Sequence, residues 1–382
     1  MTTKSVRLIL RQESFGGTLF RVDAGRRLYV SPAEFTHALT TSTLGHDLET
    51  ELGMPSNYSL TIKVPAFLPI DSFSAPDTLY LEVTRECNLR CRHCFNSSAV
   101  RLHNELTPVQ RLDVIRNAAE AGVQEVRFSG GEPLLLKDLP DLVCATRDAP
   151  MKSSVGTNGS LITKDLATEL KDAGLNESIV SIDGTEPTHD AIRGSGSYCA
   201  TLHGIDHLLA VNVPVRVNIV AMKANLSEIP TLVRTFTSLA VRVMVRRYVA
   251  SGRASQSPGQ ALSSAEYDTL RPLLLQDHRI NQDLLEGHQI KTNTRAPRVP
   301  LPFKCRACSA GQRGIAVMPT GEVQTCGFMA ALREPGFGWA HRESFSALWH
   351  HIRQRAPNAP ASCATAPAAT AVDLLQISSG QC

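Results

Sequence analysis

Apolar segments and polar intervals alternate over residues 78–250 in a way that predicts repeated strand–helix units. Strand-like apolar runs begin near residues 78, 123, 151, 177, 213 and 240, with helical segments at about 107–121, 138–148, 163–173, 197–211 and 227–239. Intervals of about 26 to 45 residues suit βαβ units, each of which needs about 30 residues. Six units cannot close an eight-stranded barrel. We therefore expect an α/β fold with an open (β/α)6 partial barrel and its chemistry at the carboxyl ends of the strands.

A smaller pattern precedes this region. Short apolar runs predict strands at 6–10, 17–22 and 27–30, separated by glycine-containing turns. Ser31-Pro-Ala-Glu34 predicts a helix through about Leu39, because a serine cap, a proline at the first position and a glutamate three residues later form a capping box. Four prolines between residues 54 and 77 indicate a linker.

Composition narrows the classes of function. A net charge of +3 on 382 residues is too small to argue for a nucleic-acid partner. No apolar run approaches the 18 or so residues that a membrane helix needs, and the first residues do not resemble a secretory signal. Ten cysteines in clustered spacings indicate metal binding better than disulfides in a chain of this size. We expect a cytoplasmic protein with no membrane partner.

The first barrel strand leads into three closely spaced cysteines, Cys87, Cys91 and Cys94. Three neighbouring thiolates in one loop are metal ligands before anything else. A structural zinc usually has a fourth protein ligand, and His93 lies too close in sequence to serve comfortably. A 4Fe–4S cluster held by three thiolates keeps one iron open for a substrate or cofactor. A structural zinc loop remains the alternative at this point.

The spacing Cys-x3-Cys-x2-Cys, with Phe95 next and Gly130-Gly-Glu-Pro133 about 40 residues after the loop, resembles the radical S-adenosylmethionine (SAM) superfamily. The resemblance implies an enzyme whose open iron binds the amino and carboxylate groups of SAM. An electron from the cluster then cleaves SAM to a 5′-deoxyadenosyl radical, which abstracts hydrogen from the substrate. A reducing partner such as flavodoxin or ferredoxin is implied. The sequence indicates no particular catalytic acid, base or final hydrogen donor.

The same resemblance assigns SAM contacts to polar residues at the strand ends. Glu132 is expected to accept from the SAM ammonium group, and Arg193 to pair with its carboxylate. Asn218 is expected to face the ribose, although an asparagine bonded to backbone explains it nearly as well. Cys144 and Cys199 lie at helical positions and are expected to be small buried apolar residues. The full set of predicted contacts is His93, Phe95, Gly130, Gly131, Glu132, Pro133, Thr157, Asn158, Ser181, Asp183, Arg193 and Asn218.

Later cysteines resemble the auxiliary-cluster extension called SPASM, or its shorter relative, twitch. Cys305-Arg-Ala-Cys308 is followed by a predicted hairpin with its turn at Thr320-Gly321. Only five cysteines remain in this region, whereas two full clusters need four ligands each. A zinc site with the same thiolates is the alternative. We expect one auxiliary 4Fe–4S cluster, with Cys382 as an alternative fourth ligand and the preferred set Cys305, Cys308, Cys326 and Cys363.

Three strands and a helix, opening on Glu13-Ser-Phe-Gly-Gly-Thr-Leu-Phe20, resemble the winged-helix-like module ahead of many radical SAM peptide maturases. Such modules capture a leader peptide by adding it as a strand to a sheet edge. The alternative is a hairpin cap packed on the barrel. The predicted division is a leader-recognition module at 1–53, a linker at 54–77, the radical SAM partial barrel at 78–250, a connecting region at 251–302 and an auxiliary iron–sulfur domain at 303–382.

Together these features predict a maturase that crosslinks or otherwise modifies a C–H position of a ribosomally made precursor peptide carrying a leader. A second hypothesis is a small-molecule radical SAM enzyme, such as one acting on tetrapyrrole side chains in haem synthesis, whose substrate needs no leader-binding module. A third is a non-catalytic peptide-binding or zinc-stabilised protein. Intact Gly-Gly-Glu-Pro and Gly156-Thr-Asn-Gly159 motifs argue against the third hypothesis.

Overall fold

The computed structural model describes residues 6–55, 57–276, 299, 301, 310–331 and 335–355. Within these ranges the chain forms one four-stranded and one eight-stranded sheet. No helix in the described part of the chain is both long enough and apolar enough to cross a membrane.

The strands of the smaller sheet lie in the order Arg26–Val30 (β3), Gly16–Arg21 (β2), Val6–Glu13 (β1) and Tyr58–Lys63 (β4). One of its faces is covered by two helices, and Leu8, Leu19 and Phe35 lie in the shared apolar core. Ser31 Oγ accepts from the backbone N–H of Glu34, so the predicted capping box is confirmed. The elements are β1 (Val6–Glu13), β2 (Gly16–Arg21), β3 (Arg26–Val30), α1 (Pro32–Thr41), α2 (His46–Leu52) and β4 (Tyr58–Lys63).

The strand β4 corrects the prediction of a linker throughout residues 54–77. It pairs in parallel with β1 and forms one edge of the sheet. Tyr58, Leu60 and Ile62 alternate along it and pack against the apolar core. This alternation is a strand signal. The strand was not predicted because prolines flank it on both sides, and such prolines indicate a linker.

The larger sheet confirms the predicted six-unit partial barrel. Six of its strands are parallel and lie next to one another in chain order, from one edge of the sheet inward. The short helix Glu186–Arg193 (α6) was not predicted. The strands are β5 (Thr78–Thr84), β6 (Glu125–Gly130), β7 (Lys152–Thr157), β8 (Glu177–Ser181), β9 (Val215–Ala221) and β10 (Arg242–Arg247). The helices are α3 (Pro108–Glu120), α4 (Leu139–Asp148), α5 (Lys164–Ala173), α6 (Glu186–Arg193), α7 (Ser197–Ala210) and α8 (Ile229–Ser238).

Alternation along these strands separates two environments. Leu79, Leu81, Val126 and Phe128 belong to the core that the strands share with the helices. Because successive side chains of a strand point to opposite faces, the residues between them face the barrel interior. That interior face carries the polar side chains described below.

The C-terminal elements extend the barrel. A hairpin at the predicted turn, Thr320-Gly321, is confirmed, but its first strand pairs with β5 and continues the barrel sheet. Ile315 and Trp349 are buried in the barrel core, so this segment is less separate than the predicted division at 303 implied. The elements are α9 (Ser264–Gln276), β11 (Gly314–Val317), β12 (Val323–Gln324), α10 (Gly327–Ala331) and α11 (Phe345–Arg355).

The N-terminal sheet docks on the amino ends of the barrel strands. Arg11 Nη1 donates to the carbonyls of Pro76 and Gly122, which precede β5 and β6. Arg27 Nε donates to Gln124, immediately before β6. The sheet therefore lies at the opposite end of the barrel from the strand ends that lead into the cysteine loop.

Candidate functional site

The cysteine loop follows the carboxyl end of β5 and is held by the chain's own hydrogen bonds. The N–H of Cys87 donates to Ala99 O at 3.2 Å. From beyond the barrel strands, Arg253 Nε donates to Cys91 O at 3.0 Å and its Nη1 to Ser98 O at 2.9 Å. Sequence reasoning missed Arg253, because no motif around it indicates a contact with residues so distant along the chain.

Two thiols of the cysteine loop are shielded from solvent. Cys91 is buried and Cys87 is half-buried. Burial raises the pKa of Cys91 and raises the pKa of Cys87 to about 11, so both thiols keep their protons at neutral pH until a metal displaces them. Among the described residues, no three His, Cys, Asp or Glu side chains converge on one metal ion. The assignment of Cys87, Cys91 and Cys94 to a 4Fe–4S cluster rather than to a zinc ion therefore stays a prediction.

The two glycines of the Gly-Gly-Glu-Pro motif let two backbones meet. A Cβ on Gly130, whose φ is +137°, would lie 2.4 Å from Thr84 O, and one on Gly131 would lie 2.0 Å from Glu86 O. The N–H of Gly131 donates to Thr84 O at 2.8 Å. These positions need glycine because the end of β6 packs directly on the base of the cysteine loop.

The Glu132 carboxylate is fully buried and already engaged by protein donors. Its Oε1 accepts from Thr157 Oγ1 at 2.7 Å and from Leu134 N at 3.1 Å, and its Oε2 accepts from Asn158 N at 2.8 Å. Burial raises the pKa of this carboxyl group despite these bonds. A carboxylate offers about four acceptor positions, so one remains beyond these three. The contact of Glu132 with SAM stays a prediction. Pro133, also predicted at the site, is buried and begins a short 3-10 turn.

Asn88 joins the cysteine loop to the loop after β7. Its Nδ2 donates to Ser160 Oγ at 2.9 Å, and its Oδ1 accepts from Asn158 Nδ2 at 2.8 Å. Ser160 Oγ in turn donates to Asn158 Oδ1 at 2.6 Å. Sequence reasoning missed Asn88. Its place one residue after Cys87 was the available signal.

A second buried network lies at the end of β8. Asp183 Oδ2 accepts from Arg193 Nε at 2.7 Å and lies 3.1 Å from His93 Nε2. Burial would raise the pKa of Asp183, but Arg193 and His93 outweigh it and hold that pKa well below its usual range. Arg193 Nη1 also lies 3.9 Å from Cys91 Sγ. The predicted residues His93, Asp183 and Arg193 are thus brought together beside the cysteine loop, and their contacts with SAM stay predictions.

His189, on α6, supports this network from behind. It is fully buried, and its Nδ1 accepts from the N–H of Asp183 at 3.2 Å. Burial and the neighbouring Arg193 lower the pKa of His189 to about 4. A neutral imidazole therefore holds the backbone of Asp183.

Ser181 and Asn218 lie opposite each other on β8 and β9. Both are on the interior face, since Val180 and Val217 lie in the core under the helices. Asn218 Oδ1 is buried and has no hydrogen-bond partner in the described structure. Buried polar atoms are normally bonded, so this oxygen fits a ligand donor and gives no support to the backbone-bonded alternative.

The segment after β12 reaches the cysteine loop. The rings of Phe95 and Phe328 lie 4.6 Å apart between centroids, which brings the chain beside Cys326 close to the loop. Cys305, Cys308, Cys363 and Cys382 fall outside the described residues, so the auxiliary cluster stays a prediction. Cys199, expected to be buried, is exposed on α7, and Cys144 is half-buried, so that expectation was wrong for Cys199 and overstated for Cys144.

Residues 81–236 match the family model of the Radical SAM superfamily. The chain carries a radical SAM domain. The matched residues include the cysteine loop, the Gly-Gly-Glu-Pro turn and the strand-end residues described above. Similar proteins are named as enzymes, and the predicted class, a radical SAM enzyme, is confirmed at that level.

Two sequence relatives come from Methanosarcina barkeri. One is named Fe-coproporphyrin III synthase and is 31% identical over 220 residues, which are 57% of this chain and 55% of that protein. The match therefore spans little more than half of that relative. The other is named AdoMet-dependent heme synthase and is 28% identical over 300 residues, which are 73% of this chain and 83% of that protein.

Solved structures agree on the fold. The Streptococcus suis protein SuiB, bound to its precursor peptide SuiA, has a TM-score of 0.67 and 18% identity, covering 90% of this chain and 87% of SuiB. The structure of anSMEcpe with bound AdoMet has a TM-score of 0.58 and 18% identity, covering 73% of this chain and 82% of that chain. At such identities these likenesses speak for the fold alone.

Proposed function

We propose that this protein is a radical SAM peptide maturase that modifies a C–H position of a ribosomally made precursor peptide. Cys87, Cys91 and Cys94 hold a 4Fe–4S cluster, which with SAM supplies the hydrogen-abstracting 5′-deoxyadenosyl radical. Glu132 and Arg193 position SAM, and an electron donor such as flavodoxin or ferredoxin reduces the cluster. Cys326, with cysteines outside the described residues, belongs to one auxiliary cluster.

The observation that carries this proposal is an open sheet edge. The N–H of Val22, the residue directly after β2, donates to Arg7 O of β1 at 3.0 Å, which makes these two residues a hydrogen-bonded pair at the end of the ladder. In an antiparallel ladder such pairs alternate, so Leu19 of β2 bonds in the other direction, to Leu28 of β3. The backbone N–H and C=O of Arg27, the next residue on β3, therefore point away from the sheet.

No described residue makes a backbone bond to Arg27 on that side, because β3 is the edge of its sheet. An unpaired edge is a template for an added strand. The match to SuiB covers 90% of this chain, so it includes at least part of the N-terminal sheet. SuiB was solved with a bound precursor peptide.

The position of this edge defines how a precursor would bind. The N-terminal sheet docks at the amino ends of the barrel strands, whereas the cysteine loop lies at their carboxyl ends. A seven-residue strand such as β5 spans about 23 Å. A precursor held at β3 therefore needs a leader and a modified segment separated by at least about seven extended residues.

The test removes one backbone donor and leaves every side chain unchanged. Replacing the amide N–H of Arg27 by an ester oxygen should weaken binding of the full-length precursor by about tenfold, with unchanged SAM cleavage in the absence of peptide. The matched control is the same replacement at Leu28, whose N–H serves the bond to β2. That control should lower stability. It keeps the outward N–H of Arg27 and only makes the outward carbonyl of Arg27 a weaker acceptor, so it should weaken precursor binding less than the Arg27 ester does. Equal precursor affinity in the Arg27 ester and the unmodified protein would contradict the proposal.

A tetrapyrrole enzyme is the second candidate, favoured by the 28% identity to a heme synthase over 73% of this chain. On that hypothesis the N-terminal sheet is a cap on the barrel. Tight binding of Fe-coproporphyrin III, with no effect of either ester replacement on turnover, would favour it.

A further inference from the structure

An arginine of the barrel interior has no described role in the chain. Arg246 is the last but one residue of β10. Val243 and Val245 lie in the core under the helices, so the alternation of the strand places Met244 and Arg246 on the interior face. Arg246 is exposed although Val245 beside it is buried.

The other interior arginines meet carboxylates and Arg246 does not. Arg127 lies 3.0 Å from Glu125, and Arg216 lies 2.8 Å from Glu177. Arg246 makes no ion pair or hydrogen bond with any residue that the structure describes. It is therefore a cation that faces the interior without a counter-charge from the described chain.

The surroundings of Arg246 make an anion favourable there. Partial desolvation by the surrounding barrel lowers the pKa of Arg246, the phenol of Tyr80 acts in the opposite direction, and the guanidinium groups of Arg127 and Arg216 lower it further. Like charges in an enclosed site repel, and an added anion relieves that repulsion. Ser154, which pairs with Arg127 across β6 and β7, has a buried hydroxyl with no described hydrogen-bond partner.

We propose that Arg246 binds a carboxylate group of the substrate inside the barrel. A guanidinium holds a carboxylate through two parallel N–H bonds, which fixes orientation as well as position. The inference rests on the proposed function and adds to it. In a precursor peptide the carboxylate comes from an aspartate, a glutamate or the C-terminus near the modified carbon. In a tetrapyrrole it comes from a propionate side chain.

The test follows chemical modification of Arg246 by phenylglyoxal, read by mass spectrometry on the anaerobically reconstituted full-length protein. The probes are the blocked tripeptide Ala-Glu-Ala and its neutral twin Ala-Gln-Ala, and Fe-coproporphyrin III and its tetramethyl ester. A carboxylate probe at about ten times its dissociation constant should slow modification of Arg246 about tenfold. Arg234, exposed on α8, is the internal control and should react at the same rate throughout.

The outcomes separate the site from the proposed function. Protection by Ala-Glu-Ala and not by Ala-Gln-Ala supports a carboxylate site for peptide. Protection by Fe-coproporphyrin III alone, and not by its ester, keeps the carboxylate site and overturns the peptide maturase. Equal protection by the neutral twins, or no protection at the highest soluble concentration, overturns the inference. Protection by SAM alone also overturns it, because Arg246 would then serve the cofactor.

Discussion

Arg11 of the N-terminal sheet and Asp77 at the foot of β5 form a buried ion pair, with 2.9 Å between Nη2 and Oδ1. Asp77 Oδ2 also accepts from Arg313 Nε at 2.7 Å, and Arg27 lies 3.6 Å away. One carboxylate therefore ties the N-terminal sheet, the barrel and the C-terminal hairpin together. Burial would raise the pKa of Asp77, but Arg27, Arg313 and Arg11 hold it well below its usual range.

We expect Asp77→Asn to lower the free energy of unfolding by about 3–5 kcal/mol, because it leaves buried guanidinium groups without their shared carboxylate. The contribution of a carboxylate with a depressed pKa is present above about pH 4 and is lost as the pH falls further. Urea denaturation at pH 7 measures it. The control is Asp113→Asn, which breaks an exposed pair with Arg116 on α3 and should cost less than about 1 kcal/mol. Equal costs in the two variants would contradict this role for Asp77.

Glu132→Gln separates a contact with SAM from a structural role. In glutamine an amide nitrogen, which donates, replaces one carboxylate oxygen, which accepts. That nitrogen would face Asn158 N or Thr157 Oγ1, and both of these groups donate to the carboxylate of Glu132. We expect a loss of about 1.5–3 kcal/mol of stability without SAM, and at least a tenfold loss of SAM affinity. Glu169→Gln, at an exposed position of α5, should change neither quantity. Unchanged stability with weaker SAM binding would mean that Glu132 acts by direct contact alone.

His189 should make stability depend on pH. Its pKa falls from an ordinary 6.5 to about 4 on folding, so between these values the unfolded chain binds a proton that the folded chain does not. Stability therefore rises from pH 4 to 6.5 and is lost as the pH falls, by on the order of 3 kcal/mol. In His189→Asn the loss measured by urea denaturation between pH 7 and 4.5 should shrink by most of that amount. His203→Asn, at an exposed position of α7, should keep the full dependence.

Local signals carried much of the fold. The barrel strands begin within about two residues of their predicted starts, because alternation and caps such as Thr107-Pro108 act over a few neighbouring residues. The strand β4 was missed because its partner, β1, lies some fifty residues earlier. The helix α6 was missed because it is only eight residues long.

The site was predicted as a set of residues but not as a network. The motif at Glu132 indicated a carboxylate at a strand end, yet its donors are Thr157 and Asn158, about 25 residues later. Arg193 was predicted to meet a ligand, and the structure also pairs it with Asp183. Arg246 carried no sequence signal, because whether a carboxylate lies across a barrel depends on strand register.

Iron content tests the assignment of cysteines. Reconstituted protein should bind about eight irons in two 4Fe–4S clusters. Replacing Cys87, Cys91 and Cys94 together with alanine should leave about four irons and abolish SAM cleavage, as measured by iron analysis and by 5′-deoxyadenosine formation. Replacing Cys144 and Cys199, which lie on helices away from the loop, should change neither measurement. Cleavage of SAM by the triple variant would contradict the assigned role of the loop.

Asn88 should control how firmly the loop holds its cluster. Asn88→Ala removes the bonds to Ser160 and Asn158, which join the cysteine loop to the loop after β7. At about 1 kcal/mol for each bond, with a discount for the exposure of Asn88, iron release to a chelator should accelerate about tenfold. Asn88→Asp keeps the acceptor for Asn158 but loses the donor to Ser160. Its rate of iron release should therefore lie between those of the unmodified protein and Asn88→Ala. The free energy of unfolding should change little, because these bonds lie outside the barrel core. Iron release at the same rate in all three proteins would mean that Arg253 and the backbone alone hold the loop.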